Sequence, residues 1–346
     1  MHNIPFPQDR ALAGWLLVCC ALVFAMVILG GVTRLTGSGL SIVEWKPVTG
    51  LVPPLSQEAW ETEFDKYRAS PEYRKINIGM DLDGFKSIYW FEYAHRLLGR
   101  TIGVAFLVPF LYFLARRRIA PALTPRLLGL FLLGGLQGLM GWYMVASGLV
   151  DNPHVSQYRL TAHLLLAFVI YGYMLWLALD LWYPRHPRVM PPGHARLQTP
   201  ALVLALWALL TIASGGFVAG LKAGFAYNTF PLMDGHWIPR VMWLLEPWWH
   251  NLFENIATVQ FNHRLLAILT LAGVVTLWLW GRRHDLGGRA RLALHLVLAT
   301  GLLQVALGIS TLLLHVPLTL AAAHQGGALV LFSALIFLNH ALRRSS

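Results

Sequence analysis

The chain has 346 residues, 56% hydrophobic and only 12% charged, where a soluble domain carries about 25% charged residues. That balance excludes an ordinary soluble globule, and the lack of period-2 alternation excludes a β-barrel. The net charge of +11 would suit a nucleic-acid partner, but its distribution along the chain removes that reading.

Eight apolar runs recur, near 11–32, 94–115, 127–147, 160–182, 199–219, 261–280, 292–313 and 319–341. At 1.5 Å per residue each crosses a hydrocarbon core of ~30 Å. The stretch before span 1 is expected to be neither a transit peptide nor a cleaved signal peptide. Cys19 and Cys20 lie side by side in span 1, where they read as packing residues that cannot pair with each other. The first outer loop, 33–91, carries eight acidic and seven basic residues. It is therefore solvated and nearly neutral, and its residues 56–75 read as a surface helix. The matching loop of the second half, 220–258, is shorter and holds Trp237, Trp243, Trp248 and Trp249, as a membrane-interface segment would.

Basic residues gather in the even-numbered connections: Arg116, Arg117, Arg118 and Arg126; Arg185, Arg188 and Arg196; Arg282, Arg283, Arg289 and Arg291. Arg343 and Arg344 follow span 8, and no Asp, Glu, Lys or Arg separates spans 7 and 8. The positive-inside rule then puts both termini in the cytoplasm (or matrix) and the odd-numbered loops outside. The basic excess expresses topology.

The chain also repeats itself. His95-Arg96-Leu97-Leu98 in span 2 returns as His263-Arg264-Leu265-Leu266 in span 6, 168 residues later. Gly134-x-Leu136-Gln137-x-x-x-Gly141 in span 3 returns as Gly301-x-Leu303-Gln304-x-x-x-Gly308 in span 7, an offset of 167. His163 answers His324 at 161, and Gly30-Gly31 answers Gly215-Gly216. Such offsets describe a duplicated unit: two pseudo-symmetric four-helix halves, 1–190 and 191–346, in parallel orientation.

Of fourteen histidines, His186, His194 and His284 fall in cytoplasmic loops, and His154, His236 and His250 in outer ones. His95, His163, His263 and His324 each fall in the first turns of a span that enters from outside, so they should share one depth. A single intramembrane histidine often only hydrogen-bonds a neighbouring helix. Four at repeat-related positions point to function. Imidazole suits iron, copper or zinc, but no Asp, Glu or Cys recurs to complete a four-ligand zinc site. Haem needs only one or two axial ligands. Pairing His95 with His163, and His263 with His324, respects the repeat and implies two haem sites.

Arg96 and Arg264 turn 100° away from the preceding histidine, toward the rim, either to bind a haem propionate or to snorkel to the interface. The small residues Gly134, Gly138 and Gly141, with Gly30 and Gly31, read first as close helix packing and second as room for a flat macrocycle. The halves differ three residues before the first histidine of each pair: Glu92 in one, Gln260 in the other. The carboxylate reads either as a base or cation stabiliser beside its metal site or as an interfacial anion favoured by the helix dipole.

Glu92-Tyr93-Ala94-His95-Arg96, the four histidines, the run Gly30-Gly31-Val32-Thr33-Arg34-Leu35-Thr36-x-Ser38-Gly39-Leu40-Ser41 and the eight-span plan resemble the haem A synthase family over nearly the whole chain. The resemblance implies oxidation of a methyl group of haem O to the formyl group of haem A for cytochrome oxidase. It implies that His95 and His163 hold the substrate haem, that Glu92 is the catalytic carboxylate, and that His263 and His324 ligate the iron of a permanent haem b. Some members carry a cysteine pair in the first outer loop. This chain has none there, so it is similar to the cysteine-free branch of proteobacteria and mitochondria. The implied location is the plasma membrane of a bacterium. Implied partners are haem O, the haem O synthase that supplies it, cytochrome oxidase assembly factors, membrane lipid, an unspecified electron acceptor and, left open, a second copy of the chain. The rival class is a quinol-linked di-haem cytochrome b, whose sites usually lie at two membrane depths. A histidine-relay transporter is a third.

Overall fold

A backbone in hydrocarbon must satisfy its own polar groups, so the apolar runs fold as helices. The computed structural model describes residues 9–46, 50–150, 153, 155–183 and 191–343. Arg185, Arg188, Arg344, His154 and His186 lie outside them. The helices are α1 (Arg10–Leu35), α2 (Gln57–Arg68), α3 (Pro71–Lys75), α4 (Leu82–Ala115), α5 (Thr124–Gly148), α6 (Gln157–Trp182), α7 (Pro192–Gly220), α8 (Asn251–Glu254), α9 (Ile256–Gly281), α10 (Gly288–Leu313) and α11 (Leu318–Leu342). Eight of them, of 25 to 34 residues, are long and apolar enough to cross a membrane. The chain is an all-α, multi-pass membrane protein; its spans are α1, α4, α5, α6, α7, α9, α10 and α11.

Local chemistry sets the helix ends. Asp9 caps α1 by accepting from the Ala11 and Leu12 amides at 2.9 and 3.0 Å, satisfying donors that the first turn leaves free. Asn255 does the same for α9 through the Ala257 and Thr258 amides. The surface helix expected over 56–75 is two helices. A residue before proline is pushed out of the helical region, so Ser70 ends α2 and caps α3 through the Tyr73 amide at 3.3 Å.

The largest departure from the sequence reading is α4, which begins at Leu82, twelve residues before the expected apolar run. Asp81 caps it at the Gly84 amide, 2.8 Å away. Its added turns bury Phe85, Ile88, Tyr89 and Glu92 on one face at helical spacing. Phe85 stacks on Phe64 and Tyr67 of α2 with ring centroids 5.1 and 5.2 Å apart. The outer loop thus has its own aromatic core.

The four spans of each half pack in the same neighbour order. Helix α1 meets α4, α4 meets α5, α5 meets α6, and α6 closes back on α1; α7, α9, α10 and α11 follow suit. The halves join where α11 touches α1 and α6, and where α6 touches α7. Polar bonds cross this seam. Gln325 donates to the Val27 carbonyl at 2.7 Å, Arg34 donates to the Ala219 and Gly220 carbonyls, and buried Asp180 on α6 accepts from His340 and Arg343 at the end of α11. Cys19 and Cys20 are buried and unpaired in the first-half core.

Candidate functional site

Each of the four histidines lies against a glycine of the preceding span. A Cβ placed on Gly308 would stand 2.8 Å from Cε1 of His324, and one on Gly215 3.1 Å from Cε1 of His263. On Gly141 it would stand 3.3 Å from Cε1 of His163, and on Gly30 3.4 Å from Nε2 of His95. The repeat-related glycines are therefore cradles for imidazoles. Gly134 and Gly138 have no neighbour within 4 Å of a built Cβ, so the close packing expected there is absent.

Depth needs a correction. His163, His263 and His324 lie six or seven residues into α6, α9 and α11, ~10 Å from the helix start. His95 lies thirteen residues into α4, ~20 Å along it, because α4 runs on into the aqueous loop. It stays at the edge of its apolar run, as its partners do.

The spacing of the second pair fits a metal between two imidazoles. The His263 and His324 rings have centroids 6.5 Å apart with planes 86° apart. Two metal–imidazole bonds of about 2 Å each, added to the two ring radii, span ~6 Å. Ser214 Oγ meets Nδ1 of His263 at 2.8 Å, and the Gln304 amide meets Nδ1 of His324 at 3.2 Å and donates to its carbonyl at 3.0 Å. Both Nε2 atoms are left without a protein hydrogen bond among the described residues. No group of three or more His, Cys, Asp or Glu able to hold a bare metal ion occurs there either. Two imidazoles backed by glycines fit a group that brings its own equatorial donors, as haem does.

The first pair is set differently. Gln137 donates to the His163 carbonyl at 3.1 Å and contacts Nε2 at 3.3 Å, leaving Nδ1 buried without a partner. His95 makes no ring hydrogen bond among the described residues, though His163 is within electrostatic reach of it.

Glu92, 2% exposed, stands one turn before His95. Its Oε2 accepts from Ser41 Oγ at 2.7 Å and the Ile42 amide at 2.8 Å. Its Oε1 accepts from Arg96 Nη2 at 2.6 Å and Nε at 3.0 Å. Arg96 also donates to the Ile42 and Glu44 carbonyls at 2.7 and 2.8 Å. In the second half, Gln260 donates to the Ala223 carbonyl at 2.9 Å and accepts from Arg264 at 3.2 Å, while Arg264 donates to the Tyr227 and Thr229 carbonyls. The arginines turn to the rim, as their spacing requires, and there they bind loop backbone. Behind Glu92 lies Glu72 of α3, 6% exposed. Burial, then the Glu92 charge, raises its carboxyl from the ordinary 4.5 to about 7.

The sequence itself has counterparts among known proteins. Residues 13–336 match the profile of a family described as cytochrome oxidase assembly protein. The chain belongs to the haem A synthase family. It is 58% identical over 339 residues to a protein named Heme A synthase from Nitrosospira multiformis, covering 98% of this chain and 95% of that one. A Nitrosomonas eutropha protein of the same name is 56% identical, covering 94% and 92%. A plant relative, Heme A synthase COX15 of Arabidopsis thaliana, is 48% identical and covers 98% of this chain and 76% of its own length. Membership makes this chain an oxidoreductase. Ser214 escaped the sequence reading, and Ser41 entered it only as the last residue of the run after span 1. Aligning the halves on Gly30 and Gly215 pairs Ser214 with Leu29, which is the signal that would have found it.

Proposed function

We propose that the chain oxidises the ring methyl of haem O to the formyl group of haem A for cytochrome oxidase. Residues 1–190 form the catalytic half and 191–346 the half that holds haem b. What supports this is the doubled, glycine-backed histidine pair with a carboxylate beside one copy and an amide beside the other. His95 and His163 hold the substrate haem, which enters from lipid with its farnesyl tail. His263 and His324 hold haem b, whose iron supplies one-electron redox chemistry when bound.

Methyl to formyl is a four-electron oxidation in two stages, through a hydroxymethyl to a hydrated aldehyde that loses water. Each stage removes two electrons and two protons and adds the hydroxyl of a water molecule. The acceptor is a partner outside the chain. Glu92 has four hydrogen-bond donors on its two oxygens, which hold the carboxylate in place one turn from His95. It stabilises positive charge developing at the reacting carbon. Arg96 and Arg264 serve the sites by holding the outer loops closed. Both termini are cytoplasmic in a bacterial plasma membrane, and the haem sites lie toward the outer face. Reporter fusions after Arg118, Arg196 and Arg291 should read cytoplasmic; an external signal at any of them would overturn this topology.

The deciding experiment is a haem profile of protein purified from cells co-expressing a haem O synthase. Haem O or A beside haem B supports the synthase. Haem B alone would favour the di-haem electron carrier.

A further inference from the structure

The two histidine sites are built with different supports, and the difference falls at one pair of repeat-related positions. On α7, Ser214 Oγ donates its only proton to the Thr211 carbonyl at 2.7 Å. Toward His263, 2.8 Å away, the hydroxyl can then act only as an acceptor. In that arrangement the ring carries its proton on Nδ1, which leaves the Nε2 lone pair free to bind a metal. A ligating histidine whose second nitrogen donates to a fixed acceptor is held in one tautomer and orientation, and its ligating nitrogen becomes more basic. The Gln304 amide, a donor, orients the ring of His324 at Nδ1 but does not fix the Nδ1–H tautomer there.

The first half has Leu29 where the second has Ser214. A leucine side chain has no acceptor, and His95 accordingly makes no ring hydrogen bond among the described residues. Its Nε2 edge is the part nearest Gly30, whereas Cε1 is the nearest atom in the other three cradles. His163 is engaged through Nε2, the nitrogen that both second-half rings leave free. The first pair is thus untethered on one side and turned on the other. A substrate haem must arrive and leave, and such a site suits exchange. A permanent haem is served by the opposite.

Taking His263 and His324 as haem b ligands, we propose that Ser214 is a positioning residue. By accepting the Nδ1 proton of His263 it makes the second haem site a retaining one, and Leu29 at the same place leaves the first site exchangeable. Loss of a hydrogen-bonded partner behind a metal-bound histidine typically costs 10–100-fold in affinity. Alanine at position 214 keeps α7 helical and removes only the acceptor, while threonine restores it.

The test uses full-length protein purified with its haem and reads transfer of haem b to excess apomyoglobin, together with the haem b midpoint potential. Ser214→Ala should speed transfer by 10–100-fold and raise the potential, because a less basic imidazole stabilises the ferric iron less. Ser214→Thr should restore both. Wild-type transfer and potential in Ser214→Ala would overturn the proposal. So would a Ser214→Thr variant that behaves as the alanine variant does, because the effect would then be packing. His263→Ala runs alongside. Haem b that survives in His263→Ala would show that the ligand assignment itself is wrong, an outcome distinct from a silent Ser214.

Discussion

In the first half Arg96, braced by Glu92, holds the loop carbonyls of Ile42 and Glu44; in the second, Arg264, braced by Gln260, holds those of Tyr227 and Thr229. Both pairs of carbonyls are 185 residues apart, the same offset that relates Gly30 to Gly215. The clamp is therefore one device made twice, once with a carboxylate and once with an amide. Its second copy shows that closing an outer loop needs no negative charge. Under the proposed function the charge of the buried carboxylate has another use, at the site of His95 one turn away. The polarity around the two residues is inverted to match. Glu92 accepts from the Ser41 hydroxyl and the Ile42 amide, whereas Gln260 donates to the Ala223 carbonyl.

The largest effects should come from the histidines and should sort by half. His263→Ala and His324→Ala should lose haem b and much of the folded yield, while His95→Ala and His163→Ala should keep haem b and make no haem A. Pyridine haemochrome spectra of the four purified variants read this directly. Equal loss of haem b from all four would break the comparison of the halves at its root.

Glu92→Gln sharpens it. Removing one preorganised charge from a reacting centre typically costs 10²–10³ in rate, so haem A per enzyme should fall at least ~100-fold, with haem O accumulating. Haem b spectra should stay near normal. The variant also turns the Arg96 ion pair into the neutral hydrogen bond that Arg264 makes with Gln260. Thermal unfolding should therefore be measured on the same samples. Full haem A production by this variant would remove the carboxylate from the chemistry.

The glycine cradles should give a graded, smaller effect. Overpacking typically costs ~1–3 kcal/mol. A methyl on Gly308 would meet His324 at 2.8 Å and one on Gly141 would meet His163 at 3.3 Å. Gly308→Ala should thus lower haem b content and melting temperature more than Gly141→Ala changes substrate binding. The reverse order would mean that the second site is the softer one.

How much of this could be read from sequence follows from what each signal measures. Apolar length reports hydrocarbon, so all eight spans were legible, and the twelve outer residues of α4 were not, because aromatic packing on α2 holds them rather than lipid. Repeat spacing exposed the four histidines, since side chains with one role on equivalent helices keep equivalent positions. It could not show that Gly30, Gly141, Gly215 and Gly308 back those rings, because the contact lies between helices. The arginine partners were hidden for the same reason: the Ile42 and Tyr227 carbonyls have no sequence signature. Ser214 differs from Leu29 by a single residue inside an apolar run, where composition registers nothing.

The smallest effect probes what the first half has and the second lacks, a folded loop with a buried acid. Glu72 of α3 faces Tyr67 of α2, Glu92 of α4 and Lys222 beyond α7, and its Oε2 has no hydrogen-bond partner. Burial first, and Glu92 second, raise its carboxyl to about 7 from 4.5. Between those values the folded protein keeps a proton that the unfolded chain has lost. Stability therefore falls as pH rises from about 4.5 toward 7, and the full cost is present above that window. One unit corresponds to about 1.4 kcal/mol, so the cost reaches on the order of 3 kcal/mol. Glu72→Gln preserves the shape and removes the titration. Hydrogen exchange of the α2–α3 amides should be alike in variant and wild type at pH 5, and more protected in the variant at pH 8. An unchanged pH dependence in Glu72→Gln would mean that Lys222 already neutralises the carboxylate across the seam. The outer loop of the first half would then be fastened to the second by that pair, and the two halves would be less independent at the outer face than their separate loop clamps imply.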